Sequence, residues 1–139
     1  MADNMILLPI LAHIFLVVAL YILLGVRKSA AVKAGGVDRK ATALNNKAWP
    51  ESVVRVSNNI DNNFEAPMLF YGVCIVSFLV GATGTFAMAC AFGYVALRYI
   101  HSYVHISSNY VPVRLSIFAL SLLTILAMAI NVFSVIVRV

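Results

Sequence analysis

Residues Met5 to Val26 form a stretch of 22 residues without a formal charge, interrupted only by Pro9 and His13, and Arg27 and Lys28 follow it directly. At 1.5 Å per residue, a helix of about 20 apolar residues crosses a hydrocarbon core of about 30 Å. The residues before the stretch lack the basic segment that starts a cleavable signal, and the stretch is too long for one. We therefore interpret it as a retained first transmembrane helix with a basic end.

The composition extends this interpretation to the whole chain. Of its 139 residues, 63% are hydrophobic and 11% are charged, and the mean hydropathy is +0.96, whereas soluble domains average about 25% charged residues. At about 20 residues per span, the length leaves room for four spans with short connections. The sequence thus predicts an all-α integral membrane protein, a bundle of four transmembrane helices in a single domain, residues 1–139. The spans are expected at about residues 5–26, 51–80, 85–106 and 112–137.

Basic residues concentrate in the one long polar connection, residues 27–50. Because basic loops stay on the cytoplasmic side, we expect this connection in the cytoplasm and both termini on the opposite side. The same rule explains the net charge of +5, so nucleic-acid binding is not expected. The basic residues of the connection are Arg27, Lys28, Lys33, Arg39, Lys40 and Lys47.

Polar side chains stand directly before the second apolar run, from Asn58 to Glu65. A helix over residues 51–80 would be about 45 Å long, which exceeds a hydrocarbon core of about 30 Å, so its first third must lie in water or among lipid headgroups. Asn62 and Glu65 are one turn apart on one face of this helix. Ionisable groups at this depth are hydrated, paired or functional, which makes this face a candidate site.

Polar groups also cluster where the third span ends and the fourth begins. Arg98, His101 and His105 recur at spacings that place them on one helical face, and Arg114 opens the fourth span. A short uncharged turn over residues 81–84 makes the second and third spans an antiparallel hairpin. The topology therefore brings these groups to the same side of the membrane as the polar start of the second span.

The convergence of these charges predicts a pair or a ligand site. A charged side chain in the membrane costs about 2.5–3.5 kcal/mol or more without a partner, so we predict that Glu65 pairs with Arg98 or with a ligand cation. The alternative is that these groups only neutralise one another and hold the helices together. Arginines and amides that face a carboxylate would suit a small zwitterion with several carboxylates, and apolar walls would suit a lipophilic second molecule.

Other side chains that could carry chemistry are assigned structural roles. His101 and His105 are spaced i, i+4, as in some metal sites, but no glutamate of an HExxH motif accompanies them, and no metal is expected. Cys74 and Cys90 lie in apolar runs, where cysteine acts as a small hydrophobe, and they suggest no disulfide framework. For His13, hydrogen bonding between helices or solvation at the membrane interface is favoured over catalysis.

The polar motifs, in their order and spacing, resemble those of the MAPEG family, the membrane-associated proteins in eicosanoid and glutathione metabolism. The chain length, the four spans and the long first connection match as well, so the resemblance covers nearly the whole chain. It rests on Asn62-x-x-Glu65-Ala66-Pro67 in the second span, on Arg98-x-x-His101-x-x-x-His105 at the end of the third, and on Pro112-x-Arg114 at the start of the fourth.

The resemblance implies a homotrimer of four-helix subunits that binds glutathione between neighbouring subunits on the cytoplasmic side. It implies that Asn62 and Glu65 bind glutathione, that Arg98 helps to hold the site, and that Arg114 stabilises the thiolate. A free thiol has a pKa of about 8.5, and an adjacent guanidinium lowers this pKa and raises the thiolate fraction. The thiolate would then attack an electrophile dissolved in the membrane lipid.

We include Asn58, His101 and His105 among the predicted glutathione-binding residues. Prostaglandin-forming members of the family have Arg at the positions of Asn58 and Asp61, and Tyr at the positions of His105 and Phe118. Because the chain departs from them at these positions, the resemblance favours a general detoxifying activity over eicosanoid-specific chemistry.

The predicted function is therefore a glutathione transferase for lipophilic electrophiles, with lipid hydroperoxide reduction as a related activity. The expected location is a bacterial inner membrane. The alternative is a non-catalytic, lipid- or partner-binding member of the family. A small transporter or channel has less support, because the polar residues do not extend across both leaflets.

Overall fold

The computed structural model describes residues 3–138, and this part of the chain is helical and contains no β-strand. Four long helices are joined by short connections, and a fifth helix of 6 residues lies in the first of them. Single 3-10 turns precede the first helix, at Asp3–Leu7, and follow the short one, at Asn46–Ala48. The helices are α1 (Leu8–Ala34), α2 (Arg39–Leu44), α3 (Glu51–Leu79), α4 (Thr85–Ile106) and α5 (Val111–Ile136).

Proline marks the start of three of the long helices. Pro9 and Pro112 lie in the first turns of α1 and α5, and Pro50 is the residue before α3. The first N–H groups of a helix have no partner within the helix, so a missing N–H costs nothing there. α1 ends at Gly35, whose φ of 79° lies in the left-handed region that glycine adopts without strain.

The first connection is shorter than the sequence predicted. α1 continues beyond Arg27 and Lys28 to Ala34, where the sequence had placed the end of the first span near residue 26 and a loop after it. Residues 29–34 contain three alanines, which favour helix. The Arg27 guanidinium donates a hydrogen bond of 2.7 Å to the Ser52 carbonyl, which fixes this extension against the start of α3.

The two central helices, α3 and α4, form the predicted antiparallel hairpin, and both contact α1 and α5. α1 and α5 do not contact each other within residues 3–138. Residues 35–50 and 107–110 lie at one end of the bundle, the loop end, where Arg55 donates to the Ser107 carbonyl. Residues 80–84 lie at the opposite end, the turn end, where Asn131 donates to the Ala82 carbonyl over 3.4 Å.

The apolar core lies between α3, α4 and α5, toward the turn end. Phe70 and Tyr94 stack at its centre, with ring centroids 4.1 Å apart and an angle of 20° between the planes. Ile6, Cys74 and Met128 are fully buried around this pair. Cys74 is therefore a packing residue, as its apolar surroundings in the sequence had indicated.

Two helical segments are long and apolar enough to cross a membrane, Asn4–Ala34 and Val111–Ile136. In the most apolar part of each segment, 33% of the first and 17% of the second is buried, so neither is enclosed as the core helix of a soluble protein is. α3 and α4 do not satisfy the same measure, because polar residues interrupt them. Length and composition in the described residues thus identify two of the four predicted spans.

Replacing Phe70 by alanine removes one ring of the central stack and should destabilise the bundle. Truncation of a buried aromatic side chain costs about 3–5 kcal/mol in a packed core, so the midpoint of thermal unfolding in detergent should fall clearly. Phe15→Ala is the matched control, because Phe15 is 69% exposed on α1. An equal fall in both variants would contradict this assignment of the core.

Candidate functional site

Arg98 is the centre of a polar network buried between α1, α3 and α4. Its side chain is fully buried, and Nη2 donates to Asn62 Oδ1 at 2.7 Å and to Asn63 Oδ1 at 3.1 Å. The same nitrogen lies 3.2 Å from the Asn62 carbonyl. Because a guanidinium only donates hydrogen bonds, the side-chain oxygens of both asparagines face it. The guanidinium therefore donates to amide oxygens and not to a carboxylate.

Asn63 connects this guanidinium to α1. Its Oδ1 lies 3.0 Å from His13 Nε2, and His13 Nδ1 lies 2.6 Å from the hydroxyl of Tyr71. His13 is fully buried and joins two helices, so of its two predicted roles the structure shows hydrogen bonding between helices and not solvation at the interface.

Asn63 also connects the network to the end of α4 that lies at the loop end. Its Nδ2 donates to the Asn59 carbonyl at 2.8 Å, to Asn59 Oδ1 at 3.3 Å and to Ser102 Oγ at 3.2 Å. Asn59 Nδ2 in turn lies 3.1 Å from His105 Nδ1. Asn59, Ser102 and His105 are all buried, so these contacts hold α3 and α4 together away from water.

The predicted pair between Glu65 and Arg98 does not form within the chain. The one ion pair in residues 3–138 joins Arg55 to Glu51, and Glu65 is exposed. Two donors of the buried guanidinium, Nε and Nη1 of Arg98, have no partner in this part of the chain, and neither has Nδ1 of the buried His101. Buried polar groups without partners are costly, so this part of the chain leaves the hydrogen-bonding capacity of Arg98 and His101 unsatisfied.

A cleft of about 320 Å³ opens at the loop end between α3, α4 and the start of α5. We call it the polar cleft. It brings together five of the predicted site residues, including both members of the Asn62 and Glu65 face, and its lining carries charges of both signs. The lining residues are Arg55, Asn58, Asp61, Asn62, Glu65, His105, Asn109 and Arg114.

A second, smaller cavity of about 210 Å³ adjoins the polar cleft, and we call it the apolar slot. Its walls are mainly apolar side chains of α5, two of which are themselves largely exposed, Val111 at 59% and Leu115 at 63%. Asn62 and Arg114 line both cavities and so mark their junction. The complete lining is Asn62, His101, Val111, Arg114, Leu115 and Phe118.

The tight turn between α4 and α5 positions Arg114. Asn109 has a φ of 54°, in the left-handed region that asparagine tolerates better than most residues. Its Oδ1 accepts a hydrogen bond from Arg114 Nη1. Arg114 lies in the first turn of α5, where the helix dipole offers a cation no support, so this neutral acceptor helps to hold the guanidinium at the junction.

Two predicted site residues stand outside the polar cleft. Arg98 lies behind Asn62, which it contacts directly, and His101 faces the apolar slot. The sequence interpretation missed Asn59 and Asn63, although their i, i+4 spacing matches that of His101 and His105 on the facing helix. It also did not include Asn109 among the site residues, because asparagine is common in turns and gives no sign of a functional role there.

A larger cavity of about 690 Å³ lies elsewhere at the loop end, between the last turns of α1 and the first turn of α3. Its lining includes Arg27, Glu51 and Arg55, of which Arg55 also borders the polar cleft. The rest of its wall is mainly small side chains of α1. None of the predicted site residues borders this cavity, so its size does not make it the site.

Comparison with known protein families gives one result over most of the chain. The model described as the MAPEG family matches residues 5–134. Neither curated proteins nor solved structures give a match. The family match covers nearly every residue of the helical bundle, including all residues of both cavities. The chain belongs to the MAPEG family.

Proposed function

We propose that the protein is a membrane-embedded glutathione transferase, which binds glutathione in the polar cleft and transfers it to a lipophilic electrophile in the apolar slot. One observation supports this proposal above the others: Asn62 and Arg114 line both cavities. A polar thiol and an apolar electrophile could therefore meet beside the same guanidinium. Family membership supports the same class of function.

The lining of the polar cleft suits the charges of glutathione, which carries two carboxylates, one ammonium and a thiol. Arg114 and Arg55 supply cations for the carboxylates and the sulfur, and Glu65 and Asp61 supply anions for the ammonium. Neither acid has an ion-pair partner within residues 3–138, so both are available to a ligand. Asp61 adds a carboxylate where prostaglandin-forming relatives are expected to have arginine, which favours a ligand contact with the ammonium group there.

Arg114 is the residue best placed to activate the thiol. A guanidinium beside the sulfur favours the thiolate, which is the nucleophile. The sulfur forms a bond to the electrophilic carbon, and the leaving group departs with its electron pair. With an activated alkene, the carbon that gains the electron pair takes a proton from water instead. The apolar slot opens beside the exposed Val111 and Leu115, so a lipophilic substrate could enter from the membrane.

We further propose that all four long helices span the membrane, with the loop end in the cytoplasm. α3 and α4 lie between two apolar helices in one bundle, so they share the depth of α1 and α5. The basic residues of the first connection lie at the loop end, as expected for a cytoplasmic face. The polar network of Arg98 faces the interior of the bundle, where intramembrane charges are tolerated.

The outer face of α3 supports assembly of several copies, which we propose to be the homotrimer of the family. Phe64, Met68 and Leu69 are 52%, 67% and 63% exposed, although α3 is a central helix of the chain. Glu65 is exposed beside them. A second copy packed on this face would cover these apolar side chains and close the polar cleft, and it could supply further ligand contacts.

Replacing Arg114 should remove most of the transferase activity. With glutathione and an aryl halide as substrates, Arg114→Ala should lower kcat by about 100-fold, as loss of one charge-stabilising donor does in other enzymes. Arg114→Lys keeps the charge but loses the planar donor, so its kcat should be intermediate. The matched control is Arg39→Ala, an exposed arginine of α2 outside both cavities.

Glutathione binding separates the transferase from the non-catalytic alternative. Glu65→Gln should raise the Kd for glutathione about tenfold or more, because it removes a charged hydrogen-bond partner of the ammonium, and binding can be measured by calorimetry in detergent. Unchanged turnover in Arg114→Ala would overturn the thiolate assignment. Absence of glutathione binding by the wild type would overturn the proposed function as a whole.

The assembly proposal predicts that the native mass in mild detergent corresponds to three copies of the 15.1 kDa chain. Leu69→Trp should dissociate the assembly, because extra volume at a packed interface is destabilising. Leu123→Trp should leave the mass unchanged, since Leu123 is 60% exposed on α5, which we place against lipid. A monomer in the wild type, or equal dissociation in both variants, would contradict the proposed interface.

The orientation proposal predicts that a cysteine in the first connection is protected from outside. Ala43→Cys, in α2, should react with an impermeant maleimide only after the cells are opened, whereas Asn4→Cys should react in intact cells. Cys74 and Cys90 lie within helices α3 and α4 and should give little background. Labelling of Ala43→Cys in intact cells would show the opposite orientation.

A further inference from the structure

The directions of the hydrogen bonds in the buried network follow from Arg98 alone. Its guanidinium can only donate, so the Asn63 side-chain atom that faces Nη2 at 3.1 Å is the oxygen. The other end of the Asn63 amide is then the NH2 group, whose acceptors are the Asn59 carbonyl at 2.8 Å, Ser102 Oγ at 3.2 Å and Asn59 Oδ1 at 3.3 Å. The amide orientation of Asn63 is therefore determined by chemistry.

The same reasoning determines the tautomer of His105. A reversed Asn59 amide would place its NH2 group 3.3 Å from the NH2 group of Asn63, with two donors facing each other. The oxygen of Asn59 therefore lies on that side, and its NH2 group faces His105 Nδ1 at 3.1 Å. A nitrogen that accepts a hydrogen bond carries no proton, so the His105 ring is neutral and its hydrogen is on Nε2. Asn59 is thus the residue that selects the tautomer.

On the α1 side, the hydrogen bonds run in the same direction. Asn63 Oδ1 can only accept, so His13 Nε2, at 3.0 Å, donates to it. In the neutral ring His13 Nδ1 is then an acceptor, and the Tyr71 hydroxyl donates to it over 2.6 Å. Five side chains therefore form one directed chain of hydrogen bonds. It runs from Tyr71 through His13, Asn63 and Asn59 to His105.

The series of hydrogen bonds ends at His105, beside the polar cleft. His105 lines this cleft, and its Nε2 has no hydrogen-bond partner within residues 3–138. Nε2 is also absent from the buried atoms without partners in this part of the chain, so it is not completely enclosed. Aligned hydrogen bonds polarise one another, which strengthens the last donor of the series.

We propose that His105 is a fixed, neutral N–H donor that binds a carboxylate of the thiol substrate, and that Asn59 is the positioning residue that holds it in this state. The proposal rests on the proposed glutathione site and specifies one of its contacts. His105 borders the polar cleft but not the apolar slot, so its donor faces a carboxylate, whereas the sulfur belongs at the junction beside Arg114. A hydroxyl could donate or accept, but this N–H only donates, so the position requires an acceptor such as a carboxylate oxygen.

The tautomer is tested directly by nuclear magnetic resonance of nitrogen-15 histidine in the detergent-solubilised wild type without ligand. The chain has 3 histidines, so the signals can be assigned by single substitutions. We expect His105 and His13 both to carry the proton on Nε2. A proton on Nδ1 of His105 would overturn the proposal, whether or not glutathione binds.

The role of Asn59 is tested by reversing its polarity. In Asn59→Asp the carboxylate can only accept, so His105 should acquire a proton on Nδ1, and its nitrogen-15 signals should shift accordingly. Asn45→Asp is the matched control, because it makes the same change at an exposed position outside both cavities. The control should leave the tautomer unchanged, and an equal change in both variants would exclude a specific role for Asn59.

The contact with the ligand is tested with glutathione and its diethyl ester, which lacks both carboxylates. In His105→Asn the amide occupies the position of Nδ1 but provides no donor at the position of Nε2. This variant should raise the KM for glutathione about tenfold or more with little change in kcat, because a hydrogen bond to a charged group is lost. His105→Gln places an amide donor near the position of Nε2 and should restore most of the affinity.

Esterification should weaken binding to the wild type and to His105→Gln more than to His105→Asn, because the asparagine variant has already lost one carboxylate contact. An unchanged KM in His105→Asn, or equal ester penalties in all three proteins, would overturn the assignment. If the wild type binds no glutathione, the proposed function fails. The tautomer experiments still test the hydrogen-bond chain in that case.

Discussion

The hydrogen bonds of the Arg98 guanidinium determine how the buried amide and imidazole groups of this bundle are oriented. A buried charge without a partner is costly, and here the partners are the side-chain oxygens of Asn62 and Asn63. Because the guanidinium only donates, it fixes the orientation of both amides. Through Asn63 it also orients His13 on α1 and, by way of Asn59, His105 on α4. Three helices are thereby held in one arrangement by the donor character of one side chain.

The same arrangement separates polar from apolar space at the loop end. α3 presents acids and amides to the polar cleft, whereas the start of α5 presents Val111, Leu115 and Phe118 to the apolar slot. Arg114 lies where the two meet, held by the Asn109 side chain in the turn before α5. A reaction between a hydrophilic thiol and a lipophilic electrophile requires such a junction, since neither reactant is stable in the surroundings of the other.

The single chain leaves part of this site incomplete, which agrees with the proposed assembly. Two donors of Arg98 and one nitrogen of His101 are buried without partners in the described residues, and Glu65 is exposed beside a row of apolar side chains on α3. A neighbouring copy could cover that row. In the proposed assembly, the ligand and a neighbouring copy would complete a site that begins with the polar network of one chain.

The sequence by itself determined the four long helices, because uncharged stretches, prolines and short turns mark helices and their ends in any surroundings. It also indicated that Asn62, Glu65, His105 and Arg114 converge, since the hairpin topology returns them to one end. It placed the end of the first helix too early, because basic residues mark a membrane boundary and not a helix end. Tertiary structure alone decided that amides and not Glu65 hold Arg98, and that Asn59 and Asn63 connect the helices. Those contacts depend on how each helix is rotated about its axis, and side-chain packing between helices sets that rotation.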